Sequence, residues 1–325
     1  MLRNDSHASA PTGLSGGAPS AKASQLTSLI DQVSTIIVGK REQVALSVIC
    51  LLASGHLLVE DVPGVGKTTL SQALARSLGL SAARVQFTAD LLPSDLLGVS
   101  IYERQKEAFV FHPGPVFAQV LLADEINRAG PRTQSALLEA MEERQVSVDG
   151  QTLALPTPFF VIATQNPGEQ LGTHPLPESQ LDRFSMRLSL GYPDAAAERS
   201  LLAGSDRRQA LQTLQPVMTP QAWLTWQAQV DGVHVADSLL DYVLALIHAT
   251  RDGRWFAQGL SPRAGQSLLR LARARALVMG RHHVSPEDIQ VLWVPGVAHR
   301  LQALNQSGRG AATQARALLE ATPVP

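Results

Sequence analysis

The chain has 325 residues, 45% of them apolar and 17% charged, with a formal net charge of −1. This is the composition of a globular protein long enough for two domains and a substantial core, and it excludes a global field that would draw the molecule to nucleic acid or an anionic membrane. A single cysteine, Cys50, excludes an internal disulfide or a thiolate metal cluster, and its apolar helical surroundings predict a buried thiol.

Residues 1–23 are rich in Ala, Ser, Gly and Pro without periodicity and read as a disordered arm. Charged and polar residues stand where a signal peptide needs an apolar stretch. The longest apolar segment, Val44 to Ala53, is too short to cross a bilayer. A cytoplasmic address without membrane insertion is therefore expected. Helical spacing runs from Ser24 to Ile37 and from Lys40 to Ala53, with Val38-Gly39 between them. Leu57 to Val59 is an apolar run suited to a fully buried strand. Asp61 to Gly66 cannot extend it, because Pro63 lacks an N–H and the glycines favour a tight turn; helical spacing returns from Lys67. Arg84 to Phe87 predicts a second strand, and Thr88 to Arg104, with helix and turn signals mixed, a surface insertion.

Val120 to Ala123 predicts a third strand, ending in Asp124 and Glu125. Pro131 to Arg144 reads as an amphipathic helix with proline in its first turn. Gln145–Val148 and Thr152–Leu155 flank Asp149-Gly150, a two-residue hairpin signal. Phe159 to Ala163 and Ser185 to Leu190 predict two further strands. Beyond Tyr192-Pro193 only helices are predicted: Ala195–Ala203, Pro220–Val230, Ala236–Thr250, Pro262–Met279 and Pro286–Trp293. The organisation is thus an arm (1–23), an α/β domain (24–193) and a helical domain (194–325).

The stretch His56 to Leu70, HLLVEDVPGVGKTTL, carries the chemistry. Strand, glycine loop and helix, with Lys67 and Thr68 at the helix start, describe a phosphate cradle. In the loop Pro63-Gly64-Val65-Gly66 the N–H groups that follow Pro63 point inward, and the helix N-terminus adds positive potential. Lys67 supplies a mobile charge for the outer phosphates of ATP, while the Thr68 hydroxyl, followed by Thr69, is placed for Mg²⁺. The leading glycine of the general loop pattern is replaced by Asp61. Asp124, at a strand's carboxyl edge, suits a Mg²⁺ role through water, and Glu125 suits a general base for the attacking water. Asn166 closes the next strand; Asn-Pro is a routine turn initiator, but as the third loaded strand end it reads as a γ-phosphate sensor.

Asp124-Glu125-Ile126-Asn127-Arg128, the run SALLEAMEERQV and ATQNPGEQLGTHPLPESQLDRF resemble the MoxR family of AAA+ ATPases. The resemblance covers residues 24 to 322 and implies a P-loop AAA+ core, a parallel sheet with helices on both faces, followed by a small all-helical lid. It implies a homo-oligomeric ring, usually hexameric, with ATP and Mg²⁺ bound between neighbours. Val38 and Gly39 match the segment that contacts adenine, Asn166 matches sensor 1, Arg183 the arginine finger and Arg263 sensor 2. Thr88–Arg104 matches the family's helix-two insertion and Gln145–Leu155 its pre-sensor hairpin. His174 stands where the family commonly has Tyr. The implied partner is a protein client with a von Willebrand factor A domain, often with metal or cofactor insertion as the outcome.

Bland readings stand beside these. Arg183 could form an ion pair with Asp182, and Arg263 could be a solvated residue in a helix's first turn, where a cation opposes the dipole. Arg263, Arg270, Arg273, Arg275, Arg281, His282 and His283 read as a solvated helix face rather than a phosphate-binding patch. Trp223, Trp226, Trp255 and Trp293 are scattered and read as helical core. Two alternatives to a chaperone-like remodeller share the nucleotide site: a nucleic-acid motor or loader, disfavoured by near neutrality, and a nucleotide-gated scaffold, disfavoured by Glu125. No nucleic-acid partner is expected.

Overall fold

The computed structural model describes residues 21–166, 173–202, 207–304 and 310–324. Helices α1 (Ala21–Ile36) and α2 (Arg41–Leu52) lead into β1 (His56–Glu60). After the glycine loop come α3 (Lys67–Ser77), β2 (Ala82–Gln86), α4 (Pro93–Leu97) and a hairpin of β3 (Gly98–Glu103) with β4 (Ala108–Pro113). Next are β5 (Val120–Asp124), α5 (Pro131–Glu143), the hairpin of β6 (Gln145–Val148) with β7 (Gln151–Ala154), β8 (Phe160–Gln165), α6 (Glu178–Leu181) and β9 (Phe184–Leu188). The remainder is helical: α7 (Ala195–Leu202), α8 (Arg207–Thr213), α9 (Pro220–Val230), α10 (Asp237–Arg251), α11 (Pro262–Val278), α12 (Pro286–Val297) and α13 (Ala311–Ala321). A small antiparallel pair, β10 (Phe256–Gln258) with β11 (Gln302–Ala303), lies among them.

The five-stranded sheet has the order β2-β5-β8-β1-β9 and is parallel throughout. Its inner strands are nearly continuous apolar runs because both faces are covered. Side chains alternate between two cores. Leu57, Val59, Leu122, Phe160 and Ile162 join α1, α2, α3 and the carboxyl-terminal helices; Leu58, Leu121, Ala123 and Val161 face the second core, with Leu137 and Met141 of α5. The first core continues without a break into α9–α13: Trp223 and Trp293 are fully buried, and Trp223 packs edge-on against Phe160 at 6.4 Å. Cys50 is buried as expected, its thiol pushed up to about 12 by loss of solvent.

The sequence reading and the structure part at a few elements. The arm lies mostly outside the described residues, and α1 begins at Ala21. The insertion after β2 extends past Arg104, because its hairpin closes with β4, whose Phe109 is exposed. Helices α8 and α13 and the β10–β11 pair were not anticipated from the sequence. The basic run is not simply a solvated face: Arg275 and Arg281 both bond Asp288, which is fully buried, and Arg270 pairs with Asp231 at 2.9 Å.

Candidate active site

The parallel sheet puts every strand's carboxyl end on one side, and there the loaded residues meet. The loop from Asp61 turns back through Gly64 (φ +84°) and Gly66 (φ +96°), left-handed positions that strain any side chain. Gly66 precedes α3, so the free N–H groups of its first turn open into a cleft of about 330 Å³. Pro63, Gly64, Gly66, Lys67, Thr68 and Thr69 line it from the loop; Asp124, Glu125 and Asn166 line it from β5 and the end of β8. Val65 turns the other way and packs on the first core. The Lys67 ammonium donates to the carbonyls of Asp61, Val62 (3.3 Å) and Gln165 (3.4 Å).

Asp61 has a structural task that glycine could not perform. Its Oδ2 accepts from Gly191 N–H (2.6 Å) and the Ser189 hydroxyl (3.0 Å), and its Oδ1 from Val62 N–H (2.9 Å). Burial disfavours its charge, but these donors outweigh that and hold the carboxyl below its ordinary range. The loop is thereby tied to the segment after β9. The same segment meets the residues expected near adenine: Lys40 Nζ donates to Tyr192 O at 2.7 Å, and a Cβ on Gly39 would lie 3.2 Å from Asp194 Oδ2. Val38 and Gly39 thus sit beside the turn into α7.

Asp124 and Glu125 are held by residues that sequence reasoning missed. Arg84, on edge strand β2, donates to Asp124 Oδ2 through Nε (3.2 Å) and Nη2 (2.6 Å). The Thr164 hydroxyl donates to Asp124 Oδ1 at 2.6 Å and accepts from Glu125 N–H at 2.9 Å. Glu125 has a left-handed backbone, φ +56°, the kind of local strain that gathers at functional sites. Gln86 Nε2 (2.9 Å) and Arg128 Nε (2.8 Å) both reach its Oε2. The available signal was the polar alternation Arg84-x-Gln86 on the strand flanking β5. Asn166 is buried at the cleft wall.

Hydroxyl and carboxylate oxygens are the hard donors Mg²⁺ prefers, and Thr68 and Asp124 supply one of each. Among the described residues no three His, Cys, Asp or Glu side chains gather into a metal cage. The donor set therefore fits a hydrated Mg²⁺ carried with the phosphates, for which the ion supplies charge neutralisation.

Arg183 and Arg263 lie elsewhere. Arg183 precedes β9, so the parallel topology puts it at the sheet's amino end, opposite the glycine loop. Both arginines converge on one carboxylate: Arg183 Nη2 reaches Glu142 Oε2 at 2.7 Å and Arg263 Nη1 reaches Oε1 at 2.5 Å. The alternative pairing of Arg183 with Asp182 is not formed; Asp182 instead pairs with buried Arg300 at 3.1 Å. His174 is anchored through its backbone, donating to Asn127 O and accepting from Gln134 Nε2.

Comparison with known proteins agrees with this geometry. Residues 56–186 match the ATPase family associated with various cellular activities (AAA), and residues 248–321 match the AAA lid domain. The chain is 45% identical to the Bacillus subtilis protein described as "Uncharacterized protein YeaC", over 89% of this chain and 90% of that one. It is 41% identical to Chaperone MoxR1 of Mycobacterium tuberculosis, over 91% of this chain and 80% of that protein. The chain belongs to the MoxR family of AAA+ ATPases. A crystal structure of a candidate ATPase from Cytophaga hutchinsonii superposes on this MoxR-family chain with a TM-score of 0.85, at 34% identity, covering 94% of this chain and 96% of the other. The P-loop α/β core and helical lid are therefore those of an AAA+ ATPase.

Proposed function

We propose that this MoxR-family ATPase hydrolyses Mg²⁺-bound ATP in a closed ring, usually hexameric, and uses the cycle to remodel a protein client in the cytoplasm. In this reading Lys67 and the loop N–H groups bind the phosphates, and Thr68 and Asp124 hold the metal. Glu125 takes the proton of the attacking water, and Asn166 positions that water against the γ-phosphate. Val38 and Gly39 border the base. Arg183, with Arg263 beside it, acts on the nucleotide of the adjoining copy, where a planar, permanently charged fork suits a developing phosphate charge.

What carries the reading is the split between the two ends of the sheet. A chain cannot fold its own Arg183, fixed before β9, onto its own glycine loop beyond β1. Head-to-tail repetition brings one end of each copy to the other end of the next, and such a contact closes into a ring when the rotation permits. The chaperone relative supports a protein client, and family resemblance supports a von Willebrand factor A domain in it, with metal or cofactor insertion as the outcome.

The test is capture with Glu125→Gln in ATP. Expected is a ring-sized species by light scattering that retains ATP and holds a von Willebrand factor A domain protein, with turnover lost. A chain that binds ATP but stays monomeric overturns the ring. Turnover unchanged by Glu125→Gln overturns the general base.

A further inference from the structure

Both oxygens of Asp124 are engaged by protein, but by partners of different mobility. Oδ1 takes the hydroxyl proton of Thr164, which is fully buried and pinned by the N–H of Glu125. Oδ2 takes two N–H groups of Arg84, whose side chain is 51% exposed at the sheet's edge and lines the cleft. Oδ2 is therefore the oxygen that can change partner. A guanidinium and a divalent cation cannot share it, because their like charges would stand within a few ångströms of each other.

We propose that Arg84 is a competing cation at the metal position: it neutralises Asp124 until the carboxylate is needed for Mg²⁺, and withdraws when Oδ2 turns to the metal's water shell. Arg84 is a positioning residue in this scheme, acting through Asp124. The exchange reaches Glu125 as well. Arg84 Nη2 lies 3.3 Å from Gln86 Oε1, and Gln86 Nε2 holds Glu125 Oε2 at 2.9 Å. Withdrawal of Arg84 removes one support of Gln86, which shares Glu125 Oε2 with Arg128, so loading of the metal position is coupled to one of the two holds on Glu125. This rests on the cleft being the Mg²⁺-nucleotide site.

The experiment measures binding of a fluorescent ADP derivative to the full chain across a Mg²⁺ titration, for wild type, Arg84→Gln and Arg84→Lys. With the competitor removed, Arg84→Gln is expected to reach half-maximal Mg²⁺-dependent binding at a Mg²⁺ concentration lower by roughly three- to tenfold, the range for a partly exposed two-pronged ion pair. Arg84→Lys, which keeps the charge without the fork, is expected between the two, and serves alone should Arg84→Gln not fold by circular dichroism. An unchanged or raised Mg²⁺ midpoint in a folded variant overturns the exchange, as does loss of ADP binding at saturating Mg²⁺, which would make Arg84 a phosphate ligand. Wild type that binds no ADP at any Mg²⁺ concentration overturns the nucleotide-site reading together with the exchange.

Discussion

The two ends of one five-stranded sheet are built on different terms. At the carboxyl end the charged groups share partners across the cleft: Arg84, Gln86 and Arg128 are distributed over buried Asp124 and half-buried Glu125, and Lys67 rests on carbonyls of its own loop. At the amino end two buried groups, Arg300 and His299, form a fixed frame behind the partly exposed Arg183 and Arg263. Arg300, its side chain 4% exposed, donates to the carbonyls of Asp182 (3.2 Å) and Phe184 (2.9 Å) while pairing with the Asp182 carboxylate. His299 bonds the Phe184 carbonyl at 2.8 Å. Burial draws the Arg300 guanidinium down to about 10, with Asp182 opposing the fall. A flexible set of charges suits a ligand that comes and goes, whereas a rigid frame suits the presentation of Arg183 and Arg263 at a constant position.

The largest expected effect comes from breaking this division at its exposed point. Arg183→Ala leaves ATP binding intact and lowers turnover of the assembled protein by roughly 10³–10⁵, the range known for arginine fingers. Mixing Arg183→Ala with Lys67→Ala, each inactive alone, restores turnover, because the second variant lends its finger to the first. Normal hydrolysis by assembled Arg183→Ala makes the amino end purely structural.

Next is a buried ion cluster between two of the carboxyl-terminal helices. Asp288 joins α11 to α12 through Arg275 and Arg281, and Ser285 N–H donates to it at 2.8 Å. Burial works against its charge, yet these donors hold its carboxyl below the ordinary range. Asp288→Asn leaves the two guanidinium groups short of a counter-charge and is expected to cost about 3–5 kcal/mol in denaturant unfolding. A loss below about 1 kcal/mol would mean the packing of these two helices does not depend on this cluster.

Legibility followed the range of the interactions. The glycine loop, Asp124-Glu125 and Asn166 are read from contiguous residues, since a strand followed by a turn defines its own end. Arg84, Gln86 and Thr164 become meaningful only when β2 and β8 are known to flank β5, which no local pattern states. Glu142 was unreadable for the same reason: nothing in an amphipathic helix says that its last turn will meet two arginines from elsewhere in the chain. The hairpin after α4 escaped because it turns without an Asn-Gly or Asp-Gly pair and exposes Tyr102 and Phe109.

Acid should weaken the fold through a buried group at the amino end. His56, fully enclosed at the start of β1, accepts from Val161 N–H through Nδ1 (3.0 Å) and faces the Met141 carbonyl through Nε2 (3.2 Å), which requires the neutral ring. Burial, with Arg144 and Arg263 adding repulsion against the Met141 bond, lowers its value from 6.5 to about 4. Between those values the unfolded chain holds more protons than the folded one, so stability is full above pH 6.5 and falls as the pH drops towards 4. The expected slope is about 1.4 kcal/mol per pH unit for this one group. Urea unfolding at pH 7, 6 and 5 measures it, and His56→Gln, whatever its stability at pH 7, should show the shallower profile.

The smallest effect tests whether the carboxyl end has a rigid point of its own. Thr164 supplies one hydrogen to Asp124 and one lone pair to Glu125 N–H, so a single hydroxyl sets the spacing of the two acids. Thr164→Val preserves the shape of the side chain but strands a buried N–H, a loss of about 1–3 kcal/mol. If the partner-sharing network of Arg84, Gln86 and Arg128 positions the acids by itself, turnover at saturating Mg²⁺ stays unchanged and only stability falls. If Thr164 sets the spacing, turnover falls together with stability, while ADP affinity, which our proposal assigns to the glycine loop, does not. The second outcome is expected, because the bonds from Thr164 come from the sheet's interior and those from β2 come from its edge.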